Sequence, residues 1–232
     1  MKTEFHQQLV WPLAIRLIHW ILVVSLLVLL VTGWLMSGGL VFNPALHDWL
    51  HDSLHVPTGQ LAAAALAGRI LLLATLPGVA GWRALMPGAT SRPARAEMFR
   101  FYLAFGRREM PGFYAYDPVW AIIYLVLFAV LAAQVFTGFA IASQGLRLGM
   151  GLSLEGLTAW HTRLAVVIAW ISGLHVASVL LREIRGRGYE VSSMLHGYRL
   201  FGRERGDMVD GSQGGTVGVP LEQLLGSERK DQ

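Results

Sequence analysis

The sequence contains no cysteine and has few charged residues. Of its 232 residues, 15% are charged and 54% are hydrophobic, whereas soluble domains average about 25% charged residues. Without cysteine, the chain cannot form disulfides, thiolate-bound iron–sulfur clusters or zinc–thiolate sites, and it cannot attach c-type haem, which needs Cys-x-x-Cys-His. The shortage of charge excludes an ordinary soluble enzyme. Any redox chemistry must therefore use histidine ligands or a bound organic cofactor.

Long apolar runs account for the shortage of charge. Four segments are long enough to cross a bilayer as helices, which takes about 20 residues each. They lie near residues 17–36, 57–77, 119–142 and 158–181. The first run is too long for a typical signal peptide, and no small-residue cleavage site follows it. The sequence therefore predicts an all-α integral membrane four-helix bundle over residues 1–205, followed by a mobile tail at 206–232.

The arginines favour one orientation of this bundle. Residues 78–117 and 182–205 each contain six arginines, whereas 37–56 contains no Lys or Arg and 143–160 contains only Arg147. Because cytoplasmic loops are enriched in Lys and Arg, we expect both termini to be cytoplasmic. The same arginines suit anionic lipid headgroups. The net charge of +4 therefore indicates membrane lipid, and no nucleic acid, as a partner.

The histidines form two pairs at matched depths. His161 and His175 share the fourth span, 14 residues apart, so they lie on one helix face about 21 Å apart along the axis. In the predicted topology His55 begins the second span at the depth of His161, and His19 begins the first span at the depth of His175. Imidazole is a good axial ligand for haem iron. This placement predicts one exoplasmic haem b between His55 and His161 and one cytoplasmic haem b between His19 and His175, with His51 as an alternative to His55.

Two arginines lie close to these histidines in the sequence. Arg69 follows His55 by 14 residues and Arg163 follows His161 by two. An arginine at membrane depth needs an anion, and a haem propionate would supply one. For Arg163 the alternative is that the side chain reaches the membrane surface.

A short motif occurs twice among the spans. Val31-Thr32-Gly33-Trp34 in the first span resembles Phe136-Thr137-Gly138-Phe139 in the third. Glycine at these positions would let a bulky group approach the helix backbone.

Several of these motifs resemble one known family. They are Arg16-Leu17-Ile18-His19-Trp20, His55 with Gly59 and Arg69, Thr137-Gly138-Phe139, Trp160-His161 with His175, and the C-terminal run Val191 to Arg199. Together they resemble the bacterial cytochrome b561 superfamily over about residues 13–201. The most similar branch is the di-haem b-type cytochrome subunit of membrane-bound nickel–iron hydrogenases, which is related to formate dehydrogenase gamma subunits. The exoplasmic loops at 37–56 and 143–157 are short for that branch.

The resemblance implies a multi-pass protein of the bacterial inner membrane that works in a respiratory chain. It would carry electrons from an exoplasmic dehydrogenase, such as a nickel–iron hydrogenase, to the quinone pool. It would bind two haem b groups through the four histidines paired above, and homo-oligomerise through the complex. The quinone would lie near the cytoplasmic surface, where His175, Tyr114, Tyr116 and Asp117 are candidates to contact or protonate it. For the tyrosines the alternative is an aromatic belt.

Two other functions fit the same residues. A stand-alone oxidoreductase that oxidises superoxide and reduces quinone would keep the haems and need no partner. The cationic entrance that such an enzyme needs is not evident, because the exoplasmic loops carry Asp48, Asp52 and Glu155 against Arg147. A non-redox transporter or assembly scaffold would use the histidines structurally and bind no haem.

Overall fold

The computed structural model describes residues 5–37, 43–86, 92–108, 110, 116–185 and 190–202. The predicted tail at 206–232 and Tyr114 lie outside these residues. In chain order the elements are β1 (Phe5–Leu9), α1 (Leu13–Ser37), α2 (Pro44–Trp49), α3 (Val56–Thr75), α4 (Arg92–Leu103), α5 (Trp120–Ala142), α6 (Gln144–Gly149), α7 (Leu154–Arg185), α8 (Glu190–His196) and β2 (Tyr198–Gly202).

Four helical segments in the described part of the chain are long and apolar enough to span a membrane. They are Leu13–Ser37, Pro44–Thr75, Trp120–Ala142 and Leu154–Arg185. Each contains most of one predicted span, and the all-α membrane bundle is confirmed. Large apolar side chains such as Leu27, Trp170 and Leu174 are exposed on these helices. A helix that is apolar on all sides suits a lipid environment rather than water.

The second spanning segment begins earlier than the sequence predicts. Residues 37–56 were expected to form a loop, but the chain is helical from Pro44. Asn43 caps this helix by accepting a hydrogen bond from the Ala45 N–H, and proline is favoured at the first helical position. A π-helical turn at Leu50–His55 joins α2 to α3, with the Val56 N–H donating to the His51 carbonyl. The loop prediction was wrong because this cap and this turn keep a polar segment helical.

Residues 17–75 and 122–176 form one compact unit, here called the bundle unit. Its buried apolar core is Leu66, Leu131 and Ile168, surrounded by further leucine, valine and phenylalanine side chains. Ile168 lies seven residues from both His161 and His175 on α7. The core is therefore centred midway between the two predicted histidine levels. Since lipid is as apolar as leucine, close packing rather than the hydrophobic effect stabilises these contacts.

The second unit, here called the terminal unit, comprises the described residues within 5–16, 76–121 and 177–202. Within its described part, β1 and β2 form an antiparallel ribbon in which Phe5 pairs with Gly202. The sequence did not predict this ribbon. Strand β2 begins just after Gly197, whose φ of 91° is in a region that favours glycine. Helix α4 buries Met98 and Phe101 in this unit.

A buried polar network stabilises the terminal unit. The Asp117 carboxylate accepts the backbone N–H groups of Val119 and Trp120 at the start of α5. It also forms an ion pair of 3.1 Å with Arg182, and both side chains are at most 4% exposed. The Tyr102 hydroxyl donates to Asp117 and accepts from Arg182. Burial, reinforced by the Asp117 charge, raises the pKa of Tyr102 above its ordinary range, so the phenol stays protonated and continues to donate.

Replacing Asp117 with alanine should strongly destabilise the protein. The substitution leaves the Arg182 guanidinium buried without its carboxylate, a loss that typically costs about 3–5 kcal/mol. We expect a clear fall in the thermal unfolding temperature of the detergent-purified chain. The matched control is Asp48→Ala, because the Asp48 side chain is 77% exposed and its loss should leave the unfolding temperature nearly unchanged. Equal unfolding temperatures for the two variants would contradict the structural role of the network.

Candidate functional site

Two of the predicted ligands lie close together in the bundle unit. The imidazole rings of His55, at the end of the π-helical turn, and His161, in α7, have centroids 6.3 Å apart and planes inclined by 67°. Two imidazoles bound on opposite sides of one metal ion through bonds of about 2 Å have centroids about 6.5 Å apart. The spacing of the two rings, here called the 55/161 pair, therefore suits a single metal ion between them.

Each ring of the 55/161 pair is held by a threonine of the preceding long helix. Thr32 Oγ1 lies 2.8 Å from His55 Nδ1, and Thr137 Oγ1 lies 2.8 Å from His161 Nδ1. Both threonines are buried. The hydrogen bonds fix the orientation of both rings within the apolar bundle.

The adjacent glycines make room for these rings. A Cβ atom added to Gly138 would lie 3.2 Å from His161 Cε1, and one added to Gly33 would lie 3.6 Å from His55 Cε1. The bulky groups that approach the glycine backbones are therefore the imidazoles themselves. The repeated Thr-Gly motif thus has one structural role in both halves of the bundle.

The threonine contacts indicate where the histidine protons lie. Thr32 Oγ1 lies 2.8 Å from the Val28 carbonyl oxygen, and Thr137 Oγ1 lies 2.9 Å from the Gln134 carbonyl oxygen. A hydroxyl has one proton to donate and can also accept. We infer that each hydroxyl gives its proton to the carbonyl and that its Oγ1 accepts from the Nδ1–H of the histidine. The lone pair of each imidazole then lies on Nε2, the nitrogen that remains for a metal.

Gln134 also contacts the site. Its Nε2 lies 3.1 Å from His161 Nε2 and donates to the lone pair there. Its Oε1 is buried and has no hydrogen-bond partner among the described residues. A metal bound to His161 would displace this amide, so the Gln134 side chain must rotate when the site is filled.

An apolar cavity of about 840 Å³ adjoins the 55/161 pair. All four long helices line it, and leucine, valine and alanine side chains predominate. Leu66, Leu131 and Ile168 of the buried core close one side. Its volume is within the range of about 300–1,000 Å³ that is typical of cofactor sites.

The structure also places the competing histidine, His51. His51 lines the cavity, but its Nδ1 lies 2.6 Å from Asp52 Oδ1 and its side chain is 45% exposed. His55, by contrast, is held by Thr32 and faces His161. The geometry favours His55 over His51 as the partner of His161.

The other predicted level contains His19, His175 and Arg69. The Tyr124 hydroxyl lies 3.2 Å from His175 Nδ1. Arg69 is 7% exposed. Its guanidinium is 5.8 Å from the Phe128 ring centroid. The pairing of His19 with His175 stays a prediction.

Arg163 is not brought to the cavity. Its guanidinium lies over the Trp160 ring, 5.5 Å from the centroid, in a shallow surface groove with Glu155. Two residues along a helix turn the side chain by about 200°, so Arg163 and His161 point to opposite sides of α7. This position suits the alternative of reaching the membrane surface.

The residues predicted to contact quinone have other contacts in the terminal unit. The Tyr116 ring meets the Trp11 ring edge-on at 5.1 Å. Both oxygens of Asp117 are engaged in the network described above. Their predicted role with quinone stays a prediction, as does that of Tyr114.

Sequence reasoning missed Thr32, Thr137 and Gln134 as residues of the site. The signal was present in the Thr-Gly repeat. Thr32 precedes His55 by 23 residues and Thr137 precedes His161 by 24. Only the packing of the helices shows that each threonine meets the histidine that follows it.

Comparison with known proteins identifies the family of the chain. The model of the family described as prokaryotic cytochrome b561 matches residues 10–197, which is most of the chain. No curated protein and no solved structure gives a significant match. The matched residues include all four long helical segments and both histidines of the 55/161 pair. The chain therefore belongs to the prokaryotic cytochrome b561 family of bacterial membrane cytochromes, which bind haem b and transfer electrons.

Proposed function

We propose that this chain is a di-haem cytochrome b subunit that anchors an exoplasmic dehydrogenase to the bacterial inner membrane and delivers its electrons to quinone. The dehydrogenase would be of the nickel–iron hydrogenase type. The observation that carries the proposal is the 55/161 pair. Its two imidazoles face each other at 6.3 Å beside a large apolar cavity.

The residues of the pair fit haem b in several respects. Both Nε2 lone pairs are left for iron by the threonine hydrogen bonds. The cavity lining is apolar, and the Gln134 Oε1 that lacks a partner can bond to a group entering the site. When bound, haem supplies a one-electron ferric–ferrous couple. The protein sets the potential through ligand choice, burial and hydrogen bonding.

A second haem b is proposed between His19 and His175. The helical spacing of His161 and His175 supports it, because both lie on one face of α7. Buried Arg69 follows His55 by 14 residues, about 21 Å along the helix axis, and offers a cation for a propionate at this level. The Tyr124 hydroxyl beside His175 Nδ1 resembles the threonine contacts of the first pair. The apolar core centred on Ile168 would separate the two sites.

Loop charge supports the proposed orientation, with both termini in the cytoplasm. The arginines at residues 78–117 and 182–205 would then face the inside, and the 55/161 pair would lie towards the dehydrogenase. Quinone would be reduced at the cytoplasmic end, with Tyr114 and Tyr116 as candidate contacts. The contacts of Asp117 favour a structural role for that residue. Homo-oligomerisation would follow from assembly with the dehydrogenase.

Charge near the 55/161 pair favours a protein partner over a small anion such as superoxide. Asp48 and Asp52, beside cavity-lining His47 and His51, have side chains that are 77% and 75% exposed. Negative charge there would repel superoxide, whereas a protein can present complementary cations.

Alanine at His161 or at His55 should each remove one haem. Loss of either imidazole leaves the iron between them with a single protein ligand. We expect the haem b content per chain, measured as pyridine haemochrome, to fall by half in both variants.

His51→Ala and His196→Ala are the matched controls and should keep the full haem content. His196 is exposed in the terminal unit, and His51 is the competing ligand. Full haem in His161→Ala would refute the pairing. If His51→Ala loses one haem and His55→Ala keeps both, His51 is the ligand and His55 is not.

Valine at Gly138 should also lower haem content. The added side chain would overlap the His161 ring, since even a Cβ atom would lie 3.2 Å from Cε1. Gly173→Val provides a matched control on α7, because a Cβ atom there meets nothing within 4 Å. We expect reduced haem content only in Gly138→Val. An equal loss in both variants would mean that the effect comes from helix propensity rather than from the site.

The partner can be tested in membranes of the native host. We expect the tagged chain, solubilised in mild detergent, to copurify with a hydrogenase. Hydrogen gas should then reduce its b-type haem, and a soluble quinone should reoxidise it, with argon in place of hydrogen as the control. The stand-alone oxidoreductase would be supported instead if superoxide reduced the haem of the isolated chain and hydrogen did not reduce the haem of the native preparation.

A further inference from the structure

The two halves of the bundle unit repeat one arrangement around the 55/161 pair. Thr32-Gly33 and Thr137-Gly138 are 105 residues apart, and His55 and His161 are 106 apart. In each half the threonine lies 2.8 Å from Nδ1 of the histidine on the following long helical segment. Leu131 of the buried core and Leu26, which packs against that core, have the same spacing of 105. Both helix pairs thus contain the same hydroxyl–imidazole contact.

The same direction can be assigned to the contact in both halves. Each threonine Oγ1 also lies within hydrogen-bond distance of a carbonyl of its own helix, at 2.8 Å for Thr32 and 2.9 Å for Thr137. A hydroxyl that gives its one proton to this carbonyl accepts from the imidazole Nδ1–H. A hydrogen bond accepted from Nδ1–H fixes the tautomer and makes the opposite nitrogen a stronger ligand.

We propose that Thr32 and Thr137 are positioning residues that fix the tautomers of His55 and His161 and lower the reduction potential of the haem between them. This inference rests on the proposed function of the pair. A more basic imidazole stabilises ferric more than ferrous iron, because the ferric ion carries the greater positive charge. Having a threonine on both ligands makes the effect act from both sides of the iron.

The inference predicts that Thr137→Val raises the potential of this haem. Valine has nearly the shape of threonine but cannot accept a hydrogen bond. We expect the ratio of ferric to ferrous haem at a given solution potential to fall about tenfold. This corresponds to a rise in midpoint potential of about 59 mV for a one-electron couple. Thr32→Val should act in the same direction. The measurement is a potentiometric titration of the reduced haem absorbance of the purified full-length chain, in which the transition absent from His161→Ala identifies this haem.

Two controls separate this effect from a structural one. Thr137→Ser keeps the hydroxyl and should return the potential towards that of the wild type. Thr75 also donates to a carbonyl of its own helix, that of Leu71, but the structure gives it no imidazole contact. Thr75→Val should leave the potential unchanged.

Each outcome bears on the inference in a defined way. A wild-type chain that binds no haem would refute the proposed function itself. A wild-type chain with haem and an unshifted transition in both valine variants would refute only the role of the threonines. An equal shift of both haem transitions would also refute it. If Thr137→Val loses the haem, retention in Thr137→Ser supports the inference, and loss in both variants overturns it in favour of a packing role.

Discussion

The hydrogen bond between a threonine hydroxyl and a histidine Nδ1 is the interaction on which the rest of the site depends. An imidazole inside an apolar bundle needs a polar partner, since lipid offers none. Thr32 and Thr137 provide it and also donate to their own helices. The glycine beside each threonine lets the ring lie against the helix. The two Nε2 atoms are thereby left for a ligand in a region with few other polar groups.

Separation of two levels along the bundle is the second constraint. Leu66, Leu131 and Ile168 fill the middle of the bundle unit. Ile168 is seven residues from both His161 and His175, which is about two helical turns, so it lies on their face of α7 and midway between them. The 55/161 pair has hydroxyl partners on both rings, whereas the other level combines His175 and Tyr124 with buried Arg69. Different surroundings at the two levels would give the two proposed haems different potentials.

The sequence predicted the four long helices, because long apolar runs are a local property. Matching the depths of the predicted spans brought His55 to the level of His161, and the two rings do lie 6.3 Å apart. Their role as haem ligands stays a prediction. It did not predict that residues 44–56 are helical, since the polar side chains around Asp48 and Asp52 resemble a loop and the cap at Asn43 is a small signal. The threonine contacts were missed because they join residues 23 and 24 positions apart through helix packing. The β1–β2 ribbon joins opposite ends of the chain, a pairing that no local pattern encodes.

The most direct test of the account is the number of haem b groups per chain in the purified wild-type protein. It is measured by pyridine haemochrome against a protein assay, after expression with adequate haem supply. The account predicts two haems per chain, one for each histidine level. A single haem would show that one of the two levels is wrong, and a protein without haem would contradict the central claim.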